Sequence, residues 1–143
     1  MHGYFPLIRS HPHFLAFGAL LCGSASFGQT WFVSLFGAEI RGQFGLTHGD
    51  FGEIYSFATL ASGISIIWLG RIIDHVSLAK FSAAVFVGLG VSAFGMAYCL
   101  NALLLGVVIF GLRLCGQGLL THTATTSMAR FFDTNRGKAI SVA

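Results

Sequence analysis

Gly70-Arg71-Ile72-Ile73-Asp74-His75-Val76-Ser77-Leu78-Ala79-Lys80 is a short charged stretch set between two long apolar runs. Residues 51–69 before it carry a single acid, Glu53, near their start, and residues 81–99 after it carry no charge at all. At 1.5 Å rise per helical residue, runs of that length match a bilayer core of roughly 30 Å. Residues 70–80 therefore read as a membrane-surface turn joining two spanning helices, and the rest of the chain is placed relative to that turn.

Composition points the same way. Of 143 residues, 55% are hydrophobic and only 9% charged, against about 25% charged in soluble domains, which sets the soluble globular class aside. The net charge of +3 is small and dispersed, so no nucleic-acid partner is expected. Cys22, Cys99 and Cys115 are isolated, with no CxxC pair and no paired histidine nearby. They read as small apolar helix residues, and neither a disulfide framework nor a metal or other cofactor is expected.

Working outward, residues 1–13 form a short polar lead containing Arg9, and residues 14–38 run without charge as the first span. A secretory signal peptide competes here, since Ser24-Ala25-Ser26 resembles a small-residue cleavage site. A signal core is only about 7–15 residues, however, and apolar character continues through Trp31, Phe32, Val33 and Phe36, so an uncleaved helix is expected. Residues 39–50, EIRGQFGLTHGD, read as an outer loop, followed by the second span at 51–69. The third is expected at 81–99, a turn at Asn101, the fourth at 103–128, a second charged loop at 129–138, and the start of a fifth helix at 139–143. The fold class is thus an all-α membrane protein with about four transmembrane helices. Arg9, Arg71, Lys80, Arg130, Arg136 and Lys138 fall on one side and Arg41 alone on the other. The positive-inside rule then places the N-terminus and the 70–80 turn in the cytoplasm.

The polar residues inside the spans are the candidate functional groups. Gln29, near the middle of the first span, needs either an amide partner on another helix or a water-filled cavity, and both readings stand. Gly18, Cys22, Ser26 and Thr30 repeat at i+4 and offer a small face for close helix packing. Arg113 lies about ten residues into the fourth span, hence roughly 15 Å deep, where insertion costs about 2.5–3.5 kcal/mol. It must pair with a carboxylate or helix carbonyls, or face a cavity and an anionic ligand. Glu39, Asp50 and Glu53 all fall near the outer surface, which favours an anionic ligand or a partner outside the sequence. Gln117, four residues on, shares the face of Arg113 to within about 40°. His122, nine residues on, lands about 180° away and cannot look into the same narrow cavity. It is either a titrating group or a packing histidine bonded to Thr126 or Gly118. No further ligand stands at matching depth for haem or metal. No Ser/His/Asp, HExxH or paired-His arrangement points to an enzyme.

These residues together resemble a known family. The chain is similar to the first four helices and the start of the fifth of a major facilitator superfamily transporter. That family's loop between helices two and three reads roughly Gly-x-x-x-Asp-Arg-x-Gly-Arg-Lys. Gly70 and Asp74 match it, while His75 replaces Arg, Ser77 replaces Gly, and Leu78 and Ala79 replace basic residues. Phe44-Gly45-Leu46-Thr47 with Gly52 and Ser56 resembles the family's entry to helix two. Arg113 with Gly116-Gln117-Gly118 resembles its helix-four arginine motif, and Arg136-Gly137-Lys138-Ala139 its entry to helix five. The resemblance implies the N-terminal part of a six-helix bundle, one of two halves that transport a small solute by alternating access. It also implies coupling to protons or a counter-substrate, and location in a bacterial inner membrane. Gln29, Arg113 and Gln117 would line the substrate cavity, with an organic anion as one solute class. Gly70, Asp74 and His75 would belong to the conformational loop, where a carboxylate such as Asp74 meets a helix's positive end across the halves; a plain surface turn is the other reading. The C-terminal helices would be this chain's partner, and the chain would be a fragment that does not transport alone. The competing reading is a small four-helix integral membrane subunit or assembly protein without transport activity. A small multidrug carrier working as a dimer would need an acid deep in the first helix, and residues 14–38 contain none.

Overall fold

The computed structural model describes residues 9, 11–132 and 136–142. Most of the 1–13 lead, residues 133–135 of the second charged loop and the final residue of the expected 139–143 segment lie outside the described residues. Within them the chain is all helical, with no strand. Three helices are long and apolar enough to cross a membrane: His48–Asp74, Leu78–Ala97 and Ala102–Phe131. The chain is membrane-embedded, with three continuous spans where the sequence predicts about four.

The difference lies in the first expected span. Residues 14–38 form no single helix. Pro12 opens α1 (Pro12–Ala25), where its missing N–H costs nothing at the first turn. A 3-10 turn follows at Ser26–Gly28, Gln29 is extended at φ −76°, ψ 149°, and α2 (Thr30–Leu35) restarts the helix. The small-residue face from Gly18 to Thr30 is therefore interrupted rather than continuous.

Beyond it, the stretch expected as an outer loop at 39–50 is helical over α3 (Gly37–Phe44). Ile40 and Phe44, one turn apart, pack into a cluster with Ala58, Leu105 and Ile109, which gives this polar stretch an apolar face to fold on. Gly45 ends it at φ +63°, a left-handed conformation that glycine adopts without strain, while the Leu46 N–H reaches back to the Arg41 carbonyl at 2.9 Å.

The second span begins earlier than its hydropathy indicates, as α4 (His48–Leu69). Thr47 and Asp50 close a capping box: Asp50 N–H donates to Thr47 Oγ1 at 3.1 Å and Thr47 N–H to Asp50 Oδ2 at 2.9 Å. The turn at 70–80 is shorter than expected, because Gly70–Asp74 prolongs the helix as a 3-10 segment and α5 (Leu78–Ala97) begins soon after. Asn101, expected at a turn, caps the next helix by accepting the Leu104 N–H at 2.8 Å. That helix runs as α6 (Ala102–Gly111), a π-helical segment Leu112–Leu120, and α7 (Thr121–Phe131). A short α8 (Arg136–Val142) follows, packing Ala139 against Leu15, Met128 and Phe132.

The fourth expected span is the hub. Half of its most apolar stretch is buried, against 22% for each of the other two spans. Leu112 and Leu120 meet Leu21 and Ala25 of α1 and Val85 and Leu89 of α5 in one core. The approach of α5 is close: a methyl group at Gly111 would fall 2.2 Å from Ser92 Oγ. Small residues at such interfaces allow helices to gain dispersion contacts where lipid supplies no hydrophobic drive. Hydroxyls on the spans donate mainly to their own helix, as Ser82 does to Leu78 and Thr123 to Leu119, both at 2.6 Å. The outer faces stay apolar and exposed, with Phe57, Phe94 and Leu103 each more than 70% accessible, as expected of surfaces in contact with lipid.

Candidate site where a broken helix meets a widened one

Gly28 and Gly116 bring the two irregular segments together. A Cβ on Gly28 would sit 2.2 Å from the Leu112 carbonyl oxygen and 2.5 Å from the Gln117 nitrogen, and one on Gly116 would sit 2.7 Å from the Gly28 Cα. Backbone lies against backbone with no room for a side chain on either strand of the contact. The first helix breaks and the fourth widens into i→i+5 geometry at the same level. Each irregularity makes space for the other. Nine residues of π geometry, Leu112–Leu120, exceed the single-turn bulges in which it ordinarily occurs.

A broken helix leaves carbonyls without intrahelical partners, and at membrane depth these need a donor from the protein. Arg113 supplies it. Its Nη1 donates to the Gly28 carbonyl at 3.1 Å and to Thr30 Oγ1 at 3.2 Å. Tyr55 of α4 completes the group, its hydroxyl donating to Thr30 Oγ1 at 2.9 Å and its ring centroid 5.3 Å from the guanidinium carbon. A desolvated cation–π contact of this kind contributes about 2 kcal/mol. Arg113 is only 9% exposed, and among the described residues no carboxylate pairs with it. Of the alternatives that the sequence leaves open for Arg113, the carbonyl contact is present.

The other sequence candidates distribute unevenly. Gln117 lies on the same π segment, and its Oε1, like Arg113 Nε, is buried without a hydrogen-bond partner among the described residues. Gln29 sits at the break itself; its carbonyl accepts from the Phe32 and Val33 N–H groups at 3.1 and 3.2 Å, so its backbone starts α2. Its side chain makes no hydrogen bond among the described residues. His122 is apart from this group, with its ring against Gly70, where an added methyl would meet Nε2 at 3.5 Å. It makes neither of the bonds to Thr126 or Gly118 that the packing reading called for. Gly70 itself is buried at this helix contact.

Asp74 accepts a hydrogen bond from Arg130 at the end of α7, and Arg130 Nη1 also donates to the Ile73 carbonyl at 3.3 Å. The pair lies at the exposed end of the two helices. His75 ends the 3-10 segment and is exposed. Among the described residues no three metal-binding side chains converge.

Sequence reasoning missed Tyr55 and treated Thr30 only as part of a packing face. A tyrosine in a span needs a partner for its hydroxyl, which was the available signal. The cavity beside this junction was not foreseen either. A groove of about 430 Å³ lies between α2–α3 and α5, bounded in part by Phe27, Phe32, Phe36, Glu39 and Met96. It excludes Gln29, Arg113 and Gln117. Comparison with known proteins gives no match among family models, characterised proteins or solved structures.

Proposed function

We propose that this chain belongs to a secondary carrier of the major facilitator type, which moves a small solute across a bacterial inner membrane by alternating access. The single observation that carries the reading is Arg113: a buried cation with no carboxylate partner among the described residues, at the contact between an interrupted helix and a π-helical one. Interrupted helices at membrane depth recur in transporters because irregular backbone there is tolerated only inside protein or beside a cavity. Arg113 Nε, buried without a partner, is one donor for an anionic solute such as a carboxylate, and the unpartnered Gln117 Oε1 is an acceptor for a hydroxyl or amine on the same solute. Gln29 borders the same break. In this reading the N-terminus and the Asp74 turn face the cytoplasm, as the Lys and Arg distribution favours.

The test is uptake of labelled small carboxylates by cells carrying Arg113→Lys at the native locus. Lysine keeps the charge and loses the planar fork. The expected outcome is a loss of uptake of tenfold or more, about 1.4 kcal/mol or more of binding. Unchanged uptake would leave Arg113 as the capping group of a broken helix and favour the membrane-subunit reading, which its contacts with Gly28 and Thr30 also suit.

A further inference from the structure

The groove beside α2 and α3 has a chemistry different from that of the Arg113 junction. One wall is an edge-to-face aromatic row, with Phe27 and Phe32 centroids 5.1 Å apart and Phe32 and Phe36 5.6 Å apart. The opposite wall comes from α5, where Ala93 and Ala97 are too small to fill the space and Met96 supplies a polarisable thioether. Two polar groups reach it, Glu39 and Gln43, one turn apart on α3. Glu39 has no ion-pair or hydrogen-bond partner among the described residues. The nearest basic residue in sequence, Arg41, lies with its guanidinium against Gly37, and neither Arg41 nor Arg113 borders the groove.

A volume of about 430 Å³ falls within the roughly 300–1,000 Å³ typical of small-molecule sites, which are mostly apolar with a few placed polar groups. Here the polar groups comprise one carboxylate and one amide. Aromatic rings present negative faces and edges of opposite sign, so rings combined with an unpaired carboxylate select positive charge carried on an apolar body. An acyl chain would fill the walls without using the exposed Glu39 carboxylate at their edge, and an organic anion would meet like charge. We infer that the groove binds a lipophilic organic cation, of the quaternary ammonium or phosphonium class, with Glu39 as counter-charge and Phe27, Phe32 and Phe36 as the aromatic wall. The assignment stands on the groove alone and is independent of the carrier reading.

Binding of radiolabelled tetraphenylphosphonium to the whole chain in zwitterionic lipid nanodiscs tests it. Tetraphenylborate, of the same shape and opposite charge, serves as the comparison, and empty discs give the lipid background. The expected result is saturable binding of the phosphonium above background and none of the borate. Glu39 is exposed, so Glu39→Gln should weaken phosphonium binding about two- to fivefold, the scale of a water-screened ion pair. Phe32→Ala should weaken it as well, and Glu53→Gln, an exposed acid outside this groove, should leave it unchanged. Equal binding of both ions would mark an apolar, lipid-filled surface and overturn the assignment. So would absent phosphonium binding, or equal losses with Glu39→Gln and Glu53→Gln.

Discussion

Two arginines cap the carbonyls of 3-10 segments in this chain, one deep and one at a helix end. Arg113 reaches the Gly28 carbonyl from 85 residues away, and Arg130 reaches the Ile73 carbonyl from 57 residues away. The local chemistry is alike and the settings differ. Arg130 and its partner Asp74 have side chains 50% and 58% exposed, where water screens the pair and the net contribution is about 0–1 kcal/mol. Arg113 is buried, holds no carboxylate among the described residues, and relies on Thr30 and the Tyr55 ring. At the helix end the ion pair adds to a turn that would form without it. In the interior the arginine, the break and the two glycines depend on each other, since removing any one leaves a buried polar group or a clash.

Substitutions that attack one junction and spare the other sharpen this contrast. The largest effect is expected from Gly28→Val, which forces a side chain into the Leu112 and Gln117 backbone; overpacking on this scale destabilises by about 3 kcal/mol. Unfolding of the purified chain in mixed detergent micelles measures it, and a loss below about 1 kcal/mol would mean that the two helices separate easily. Next is Tyr55→Phe, which keeps the ring over Arg113 and removes the bond to Thr30. The same unfolding measurement should show about 1 kcal/mol lost, and the effect should vanish when Thr30→Val is already present, because the partner oxygen is gone. The smallest is Asp74→Asn, expected at about 0.5 kcal/mol and fading as salt is raised. A larger, salt-independent loss would show that the helix-end pair is more shielded than its exposure indicates.

Much of this was legible in order along the chain. The apolar runs indicated the membrane class, Asn101 was placed at the turn before the last long span, and Arg113 was placed inside that span. The boundaries shifted where local hydrogen bonding extended a helix past its apolar stretch, as Thr47 and Asp50 do for α4 and Gly70–Asp74 does after it. The helix at Gly37–Phe44 was hidden because its apolar partners, Leu105 and Ile109, lie far off in the chain. The groove was hidden for the same reason: Phe27, Phe32 and Phe36 read as span residues until α5 stands opposite them. Tyr55 was overlooked because its partner, Thr30, lies on another helix.

Hydropathy and charge are local sums, so the sequence by itself determined an all-helical, membrane-embedded chain and the place of Arg113 within its last long apolar run. The partner of that cation was not a local matter. Opening the helix at Gly28 strands a carbonyl, and π geometry across Leu112–Leu120 departs from the tighter α turn; neither has support from neighbouring residues. Only the tertiary contact offsets both at once, by seating Gly28 on Gly116 and placing the Arg113 guanidinium on the exposed carbonyl.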